Sequence, residues 1–294
     1  MTSGILLIDK NTGSSSGKIV YQARKKLGIK KIGHAGTLDP LATGLLPLLI
    51  NKATRVSDFL MDDVKVYETL AFFGQKTDTQ DITGEILEKS SKTFEFDDLK
   101  KAIYDNFIGE IFQTPPMYSA LKHKGKKLYE FAREGKSIER KKRKIKIYDF
   151  DIVDFKFPYA RLRIKCSKGT YIRTLVNDLG EILQSFATVK ELRRTNIGDF
   201  DVEDSIKIED FEKMDKDEII KRLIPIDKAL FQYEKIVLDK SYYKQATNGM
   251  TMKVDYGKKV DKYLRVYVDD LFIGLGEYKD KNKTLKIKKV FYEK

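Results

Sequence analysis

The chain opens on an unbroken apolar run. GILLIDK (4–10) carries four consecutive aliphatic residues, the pattern of a strand buried on both faces. The period then changes. In GSSSGKIVYQARKKLG, residues Ile19, Val20, Ala23 and Leu27 recur at helical spacing, a serine among 14–16 can cap the first turn, and Gly28 suits the left-handed position after the last. LLPLLI is a second apolar run. VKVYETLAFFG alternates: Val64, Val66, Leu70 and Phe72 point one way, and Lys65, Tyr67, Thr69, Ala71 and Phe73 the other. That pattern puts Tyr67 on the less apolar face. A turn-rich stretch, GQKTDTQDITGE, leads to a further strand and a helix over 97–106. RKIKIYDFDIVDF and YARLRIKCS predict two long strands, and a short helix ends the stretch LKHKGKKLYEFAREG. KGTYIRTLVNDLGEIL gives the clearest helix, with Ile172, Leu175, Val176, Leu179, Ile182 and Leu183 in one stripe and Thr170 as N-cap. ELRRTNIGDF reads as a strand. From 225–230 onward short strands and turns take over: YLRVYVDDLFIGLGEY forms a hairpin through Asp269-Asp270, and TLKIKKVF a closing strand. Strands and helices interleave without the regular βαβ spacing of a parallel sheet. The predicted class is therefore α+β, with a mixed, largely antiparallel central sheet flanked by helices and a small C-terminal β-rich domain. The division falls between 1–231 and 232–294.

Charge adds a partner to this picture. The chain has 57 Lys and Arg against 44 Asp and Glu, a net +13. Between Lys122 and Lys146 stand twelve basic and three acidic residues, a net +9 within one segment, and from Gln232 to the end fifteen basic face nine acidic. Such concentration fits a patch for phosphates; a solvated helix and hairpin face is the other reading. One cysteine, Cys166, excludes an intramolecular disulfide and points to a reducing, cytoplasmic compartment. Two histidines and one cysteine do not make a zinc site. The N-terminal apolar run is too short for a signal peptide, and no run approaches the length of a membrane span.

One stretch contrasts with the rest. GHAGTLDPLATGLLP (33–47) holds a single acid, Asp39, and no lysine or arginine. Asp39-Pro40 is on its own an ordinary turn. Glycosidase chemistry wants two carboxylates, and no second acid lies nearby in sequence. A lone carboxylate on a small-residue loop suits a nucleophile or base whose substrate must approach the backbone closely. It also needs a counter-charge. Arg173 has Gly169 and Asn177 four residues away on its helix, so no local acid pairs with it, and it sits at the helix end that disfavours a cation. It either has a distant partner or faces solvent.

Five motifs in one order, HAGTLDPLATGLLP, GQKTDTQDITGE, TPPMYSALKHKGKKLYEFAREG, CSKGTYIRTLVNDLGE and LRRTNIGDF, resemble those of the bacterial tRNA pseudouridine-55 synthases of the TruB type. The resemblance spans roughly residues 4 to 230, and the tail is similar to a short PUA-like RNA-binding domain. It implies a pseudouridine synthase catalytic domain that isomerises uridine 55 of the tRNA T loop after flipping it out. By this resemblance Asp39 is the catalytic carboxylate and Arg173 its partner. Tyr67 stacks on the base and assists proton removal, Tyr171 lines the nucleotide pocket, and Leu192 forms part of its apolar wall. His34 supports the flipped-out RNA, where a core or cap histidine is the bland alternative. Lys10 follows the opening strand as in the family, although Asn11 stands where the family usually has proline. The reaction involves no redox change, so no cofactor or metal is expected. The +9 segment matches a lid over the RNA. The expected protein is a monomer that needs tRNA but neither a guide RNA nor a protein partner. A non-catalytic tRNA-binding chaperone and a guide-dependent pseudouridylase are the alternatives from other classes.

Overall fold

The computed structural model of the chain describes residues 2–61, 64–260 and 262–292; the first residue of the expected catalytic domain and the last two of the expected C-terminal domain lie outside these. The elements are β1 (Gly4–Lys10), α1 (Ser16–Leu27), β2 (Ile32–His34), β3 (Thr43–Ile50), α2 (Ser57–Met61), β4 (Lys65–Phe73), β5 (Gln75–Thr77), β6 (Ile86–Lys89), α3 (Phe96–Asn106) and β7 (Gly109–Gln113). There follow β8 (Lys122–His123), β9 (Lys126–Lys127), α4 (Leu128–Arg133), β10 (Arg143–Lys156), β11 (Tyr159–Cys166), α5 (Ile172–Ile182), β12 (Ala187–Ile197), β13 (Phe200–Asp201), β14 (Ile206–Lys207), α6 (Ile208–Lys213) and α7 (Lys216–Lys221). The last part holds β15 (Lys235–Leu238), α8 (Tyr243–Thr247), β16 (Thr251–Lys253), β17 (Tyr263–Val268), β18 (Leu271–Lys279) and β19 (Thr284–Val290).

The larger sheet has ten strands in the order β14-β1-β3-β12-β4-β11-β10-β7, with β2 on β3 and β13 on β12. Only β1–β14 and β12–β3 are parallel in it, so this is the largely antiparallel sheet of an α+β fold. The smaller sheet runs β15-β17-β18-β19-β16. On one face of the large sheet Leu6, Ile8 and Leu46 share a core with Ile19 of α1, Leu99 of α3 and Leu175 of α5. The alternate residues of β1 and β3, Ile5, Leu7, Leu45 and Leu49, point to the other face, where Leu275 and Phe291 join them. The smaller sheet has its own cluster around Leu264, Val266 and Leu285. Among the described residues no helix is long and apolar enough to cross a membrane.

Helix α1 follows its sequence. Ser15 accepts from Lys18 N, Gly28 closes the last turn at φ 69°, and Ile19, Val20, Ala23 and Leu27 are buried. Three details differ from the sequence pattern. In α5, Ile182 is 44% exposed; ten residues after Ile172, the helical step of about 100° carries it to the edge of the stripe. Thr170 does not cap α5: its hydroxyl donates back to Ser167 O at 2.9 Å. The capping position belongs to Tyr171, whose backbone N–H and C=O are both bonded by the Gln113 amide, at 2.8 and 3.0 Å. In β4 the faces are inverted. Lys65, Thr69, Ala71 and Phe73 are buried, whereas Leu70 and Phe72 are half-exposed; of the other face only Val66, near the start of the strand, is buried. Thr69 and Ala71 are small because β4 lies deep in the sheet, so counting apolar residues misjudges which side is inside. Tyr67 therefore reaches the site from the core face.

Candidate active site

The Asp39 loop joins β2 to β3, and its backbone is fastened before its carboxylate is placed. In the first turn of α1, Ser16 Oγ donates to Leu38 O at 3.0 Å and accepts from Leu38 N at 2.9 Å. Gly13 N donates to Pro40 O at 2.8 Å, Thr12 Oγ1 to Leu41 O at 3.1 Å, and Ala42 N to Asp39 O at 3.1 Å. Beneath runs Arg194 of β12, 1% exposed, with Nε donating to Leu45 O at 2.9 Å and Nη2 to Gly36 O at 3.0 Å. This explains the small residues. Gly36 has φ 94° and a Cβ there would lie 3.2 Å from Arg194 Nη1; Gly44 has φ 98° and its Cβ would meet Arg194 O at 2.2 Å.

The Asp39 side chain keeps 37% of its surface, and its Oδ2 accepts from Arg173 Nε at 2.8 Å. Arg173 itself is 4% exposed. Its Nη1 donates to Thr79 O at 2.6 Å and its Nη2 to Tyr118 O at 2.8 Å. Asp81 Oδ2 stands 3.7 Å from Nη1. Asp81 is in turn fixed by the threonines on either side, accepting at Oδ1 from Thr79 Oγ1 at 2.9 Å, Thr83 N at 3.0 Å and Thr83 Oγ1 at 2.5 Å. Two carboxylates and two carbonyls thus offset the cost of a cation in the first turn of α5. Thr174, next on the helix, ties the same loop by donating to Gln80 Oε1 at 2.8 Å.

Lys10 is fully buried. Its ammonium donates to Asn11 O and Ser14 O at 2.8 Å each and to Pro40 O at 3.4 Å. Burial brings its pKa down to about 8, against the pull of Asp39. It therefore meets the loop from behind, through backbone. Tyr67 is the cross-strand partner of Arg194; burial raises its phenol pKa, and the guanidinium works against that rise. Tyr171 is half-buried, its phenol also raised by burial, and it lies within the field of Asp39 and Arg173. His34, at the end of β2, is half-buried with its Nδ1 enclosed and without a hydrogen-bond partner. Burial first and Arg194 second lower its pKa, favouring neutral imidazole. Leu192 is 7% exposed, faces Thr69 across the β12–β4 ladder, and belongs to the larger core.

The structure brings Arg173, Tyr67, Tyr171 and Lys10 within electrostatic reach of Asp39. It adds two residues that sequence reasoning passed over. Asp81 carried a local signal, a Thr-x-Asp-x-Thr spacing inside a motif already singled out. Arg194 carried another: successive strand residues face opposite ways, so the two arginines of ELRR cannot share an environment. Arg193 points to the other side and pairs with Asp9 at 2.9 and 2.7 Å, while Arg194 turns inward. Beside the site, a cleft of about 320 Å³ lies between Gln80, Phe112, Thr114, Arg140, Thr174 and Asp178. A second, of about 610 Å³, is lined by the basic segment, including Lys122, Arg140, Lys141 and Arg143. Among the described residues no group of three or more His, Cys, Asp or Glu is placed to hold a metal ion.

The TruB family pseudouridylate synthase model (N terminal domain) matches residues 24–172, and that of the tRNA pseudouridylate synthase B C-terminal domain matches residues 173–231. The tRNA pseudouridine synthase B of Clostridium novyi (strain NT) is 44% identical over 292 residues, covering 98% of this chain and 99% of the relative. That of Clostridium kluyveri is 42% identical over 281 residues, covering 94% and 96%. Among solved structures, an H/ACA RNP bound to a substrate RNA containing 2'-deoxyuridine aligns with a TM-score of 0.74 at 23% identity, over 99% of this chain and 85% of that one, a likeness of fold. The chain belongs to the TruB family of pseudouridylate synthases.

Proposed function

We propose that the protein converts uridine 55 in the T loop of tRNA to pseudouridine, with Asp39 as its catalytic carboxylate. The observation that carries this reading is the Asp39–Arg173 pair: a carboxylate open to solvent on one side and held on the other by a buried guanidinium at 2.8 Å. The reaction breaks the C1′–N1 bond with its electron pair going to the base, turns the base, and joins C1′ to C5. One proton leaves C5 and one arrives at N1, so composition is unchanged and no oxidant or cofactor enters. Asp39 acts on the ribose or the base while the glycosidic bond breaks. Arg173 fixes which oxygen it presents. A uridine within a folded arm must leave its stack to reach the loop, with His34 at the mouth, Tyr67 against the base, and Tyr171 and Leu192 as walls. Lys10 serves the substrate through the loop it braces. The 122–146 segment closes over the RNA by phosphate contacts. The protein works alone on tRNA, in the cytoplasm, without guide RNA or protein partner.

The test is the purified protein with an unmodified tRNA transcript, followed by mapping of pseudouridine. Wild type should modify one T-loop position. Asp39→Asn should give no detectable product while tRNA affinity stays within a few-fold, because affinity comes from phosphates and loop shape. Turnover by Asp39→Asn would return the loop to an ordinary turn.

A further inference from the structure

Arg194 is among the largest side chains that the fold buries completely. Its Cα partners are Gly44 on β3 and Tyr67 on β4, so it lies between the strand that follows the Asp39 loop and the tyrosine. Its guanidinium donates to Gly36 O and Leu45 O on one side, and across the ladder its charge acts on the Tyr67 phenol. Among the described residues it forms no ion pair. Burying an unpaired cation costs several kcal/mol, and this one also works against the charged forms of Lys10 and His34. A brace between two carbonyls alone needs no charge. A cation is called for when a neighbour carries negative charge, and the ionisable side chain paired with Arg194 across the β12–β4 ladder is Tyr67.

Arginine has no acceptor, so the guanidinium can engage only the oxygen of the phenol, whose O–H is left to donate elsewhere. We infer that Arg194 is a positioning residue: it fixes the Tyr67 phenol with its O–H turned to the uracil, and it stabilises the negative charge on that oxygen between giving up one proton and taking another. The inference rests on the function proposed above. In that reaction the phenol gives its proton to the base, which ends with a hydrogen on N1. It recovers one from C5, whose C–H electron pair closes the C5–C6 double bond, and Tyr67 returns to its starting form. The charged and titratable groups around the phenol are Arg194 from β12, Cys166 from β11 and Asp39 from its loop. Cys166, pushed up to about 12 by burial, stays a neutral thiol.

A double-mutant cycle on tRNA labelled with tritium at uridine C5 tests this, reading single-turnover release of label, tRNA affinity and thermal melting. Arg194→Gln should slow release by about 100-fold or more, the scale of a lost acid–base contribution, with affinity within a few-fold. Arg194→Lys, which keeps the charge, should recover part of the rate. In a Tyr67→Phe background Arg194→Gln should cost no more than about twofold further. In a Lys10→Arg background, where Lys10 no longer titrates, the alkaline limb set by Tyr67 should move to higher pH on adding Arg194→Gln, which a brace would not cause. Equal losses with Tyr67 and with Tyr67→Phe would overturn the inference and leave Arg194 a support for the loop. If Arg194→Gln does not melt cooperatively, Arg194→Lys takes its place in the cycle, and equal losses in the two backgrounds would again overturn the inference. Failure of the underlying reading looks different: no pseudouridine from wild type, or turnover by Asp39→Asn.

Discussion

Replacing Arg173 by methionine keeps aliphatic bulk on α5 and removes the guanidinium. The structure sets the scale of the effect. Three charged hydrogen bonds disappear, to Asp39 Oδ2, Thr79 O and Tyr118 O, and Asp81, with an 8% exposed side chain, loses its neighbouring cation. Breaking a buried pair by removing one partner costs about 3–5 kcal/mol. Asp39 is 37% exposed, so solvent takes up part of the loss, and about 3 kcal/mol is the appropriate figure. A domain stable by about 5–15 kcal/mol survives that, and Arg173→Met should fold with a lowered Tm. If the same loss is felt in the transition state, the rate falls by about 100-fold. The assay is single-turnover tritium release from tRNA labelled at uridine C5, with affinity measured separately and expected within a few-fold of wild type. Arg173→Lys should fall between, since one ammonium cannot reach all three acceptors in the fork geometry. If Asp39 and Arg173 act as a unit, Arg173→Met added to Asp39→Asn should cost nothing further. A rate for Arg173→Met within about threefold of wild type, with tRNA saturating, would refute the idea that the guanidinium sets the working position of Asp39.

Two further outcomes follow from charge. In the basic segment Lys144 is already paired with Glu110 at 2.8 Å, whereas Lys141, Lys142 and Arg143 are exposed; neutralising these three should flatten the slope of log K against log salt by about 2 to 3, Lys144→Gln alone should change it little, and an unchanged slope for the triple variant would make the run a solvated face. Lys10 titrates near pH 8 in the fold against an ordinary 10.5, so its contribution to stability should rise as pH climbs from about 8 towards 10.5, where the unfolded chain still holds the proton. Activity should fall over the same window as the loop loses its cation. Arginine cannot lose its charge there, so the activity limb should be absent in Lys10→Arg, and an identical limb in that variant would assign it to another group.

The elements are largely legible in the sequence because their signals are local. Four aliphatics in a row, the Ser15 cap and Gly28 fix β1 and α1 within a few residues of chain. Tyr67 is misplaced by its pattern because facing is not local: β4 is covered by neighbours that sequence does not show, and small Thr69 and Ala71 are the mark of that tight packing. Asp39 stands out as a lone acid in a quiet loop, and the resemblance supplies Arg173, which lies 134 residues away. Asp81 and Arg194 escape notice for the opposite reason. Both sit in charged stretches where any acid or arginine has a plausible solvent role, and only burial separates these two from their neighbours.

That burial says something about the site as a whole. Lys10, Arg173 and Arg194 are buried cations around one part-exposed carboxylate; Lys10 and Arg194 are held by backbone carbonyls, and Arg173 by two carbonyls besides Asp39 and Asp81. Carbonyl dipoles offset desolvation without cancelling charge, so the ground beneath the loop stays positive. An enzyme that only had to orient Asp39 could have used one of these cations. Three suit the proposed reaction, in which negative charge would move from the carboxylate, to the base as it leaves C1′ with the bonding pair, and to the Tyr67 phenol. A fixed positive field lowers the cost of each of those states without moving an atom. On this argument, removing any one cation should harm the chemical step more than the binding of tRNA, whose phosphates the proposed function assigns to the separate surface at 122–146.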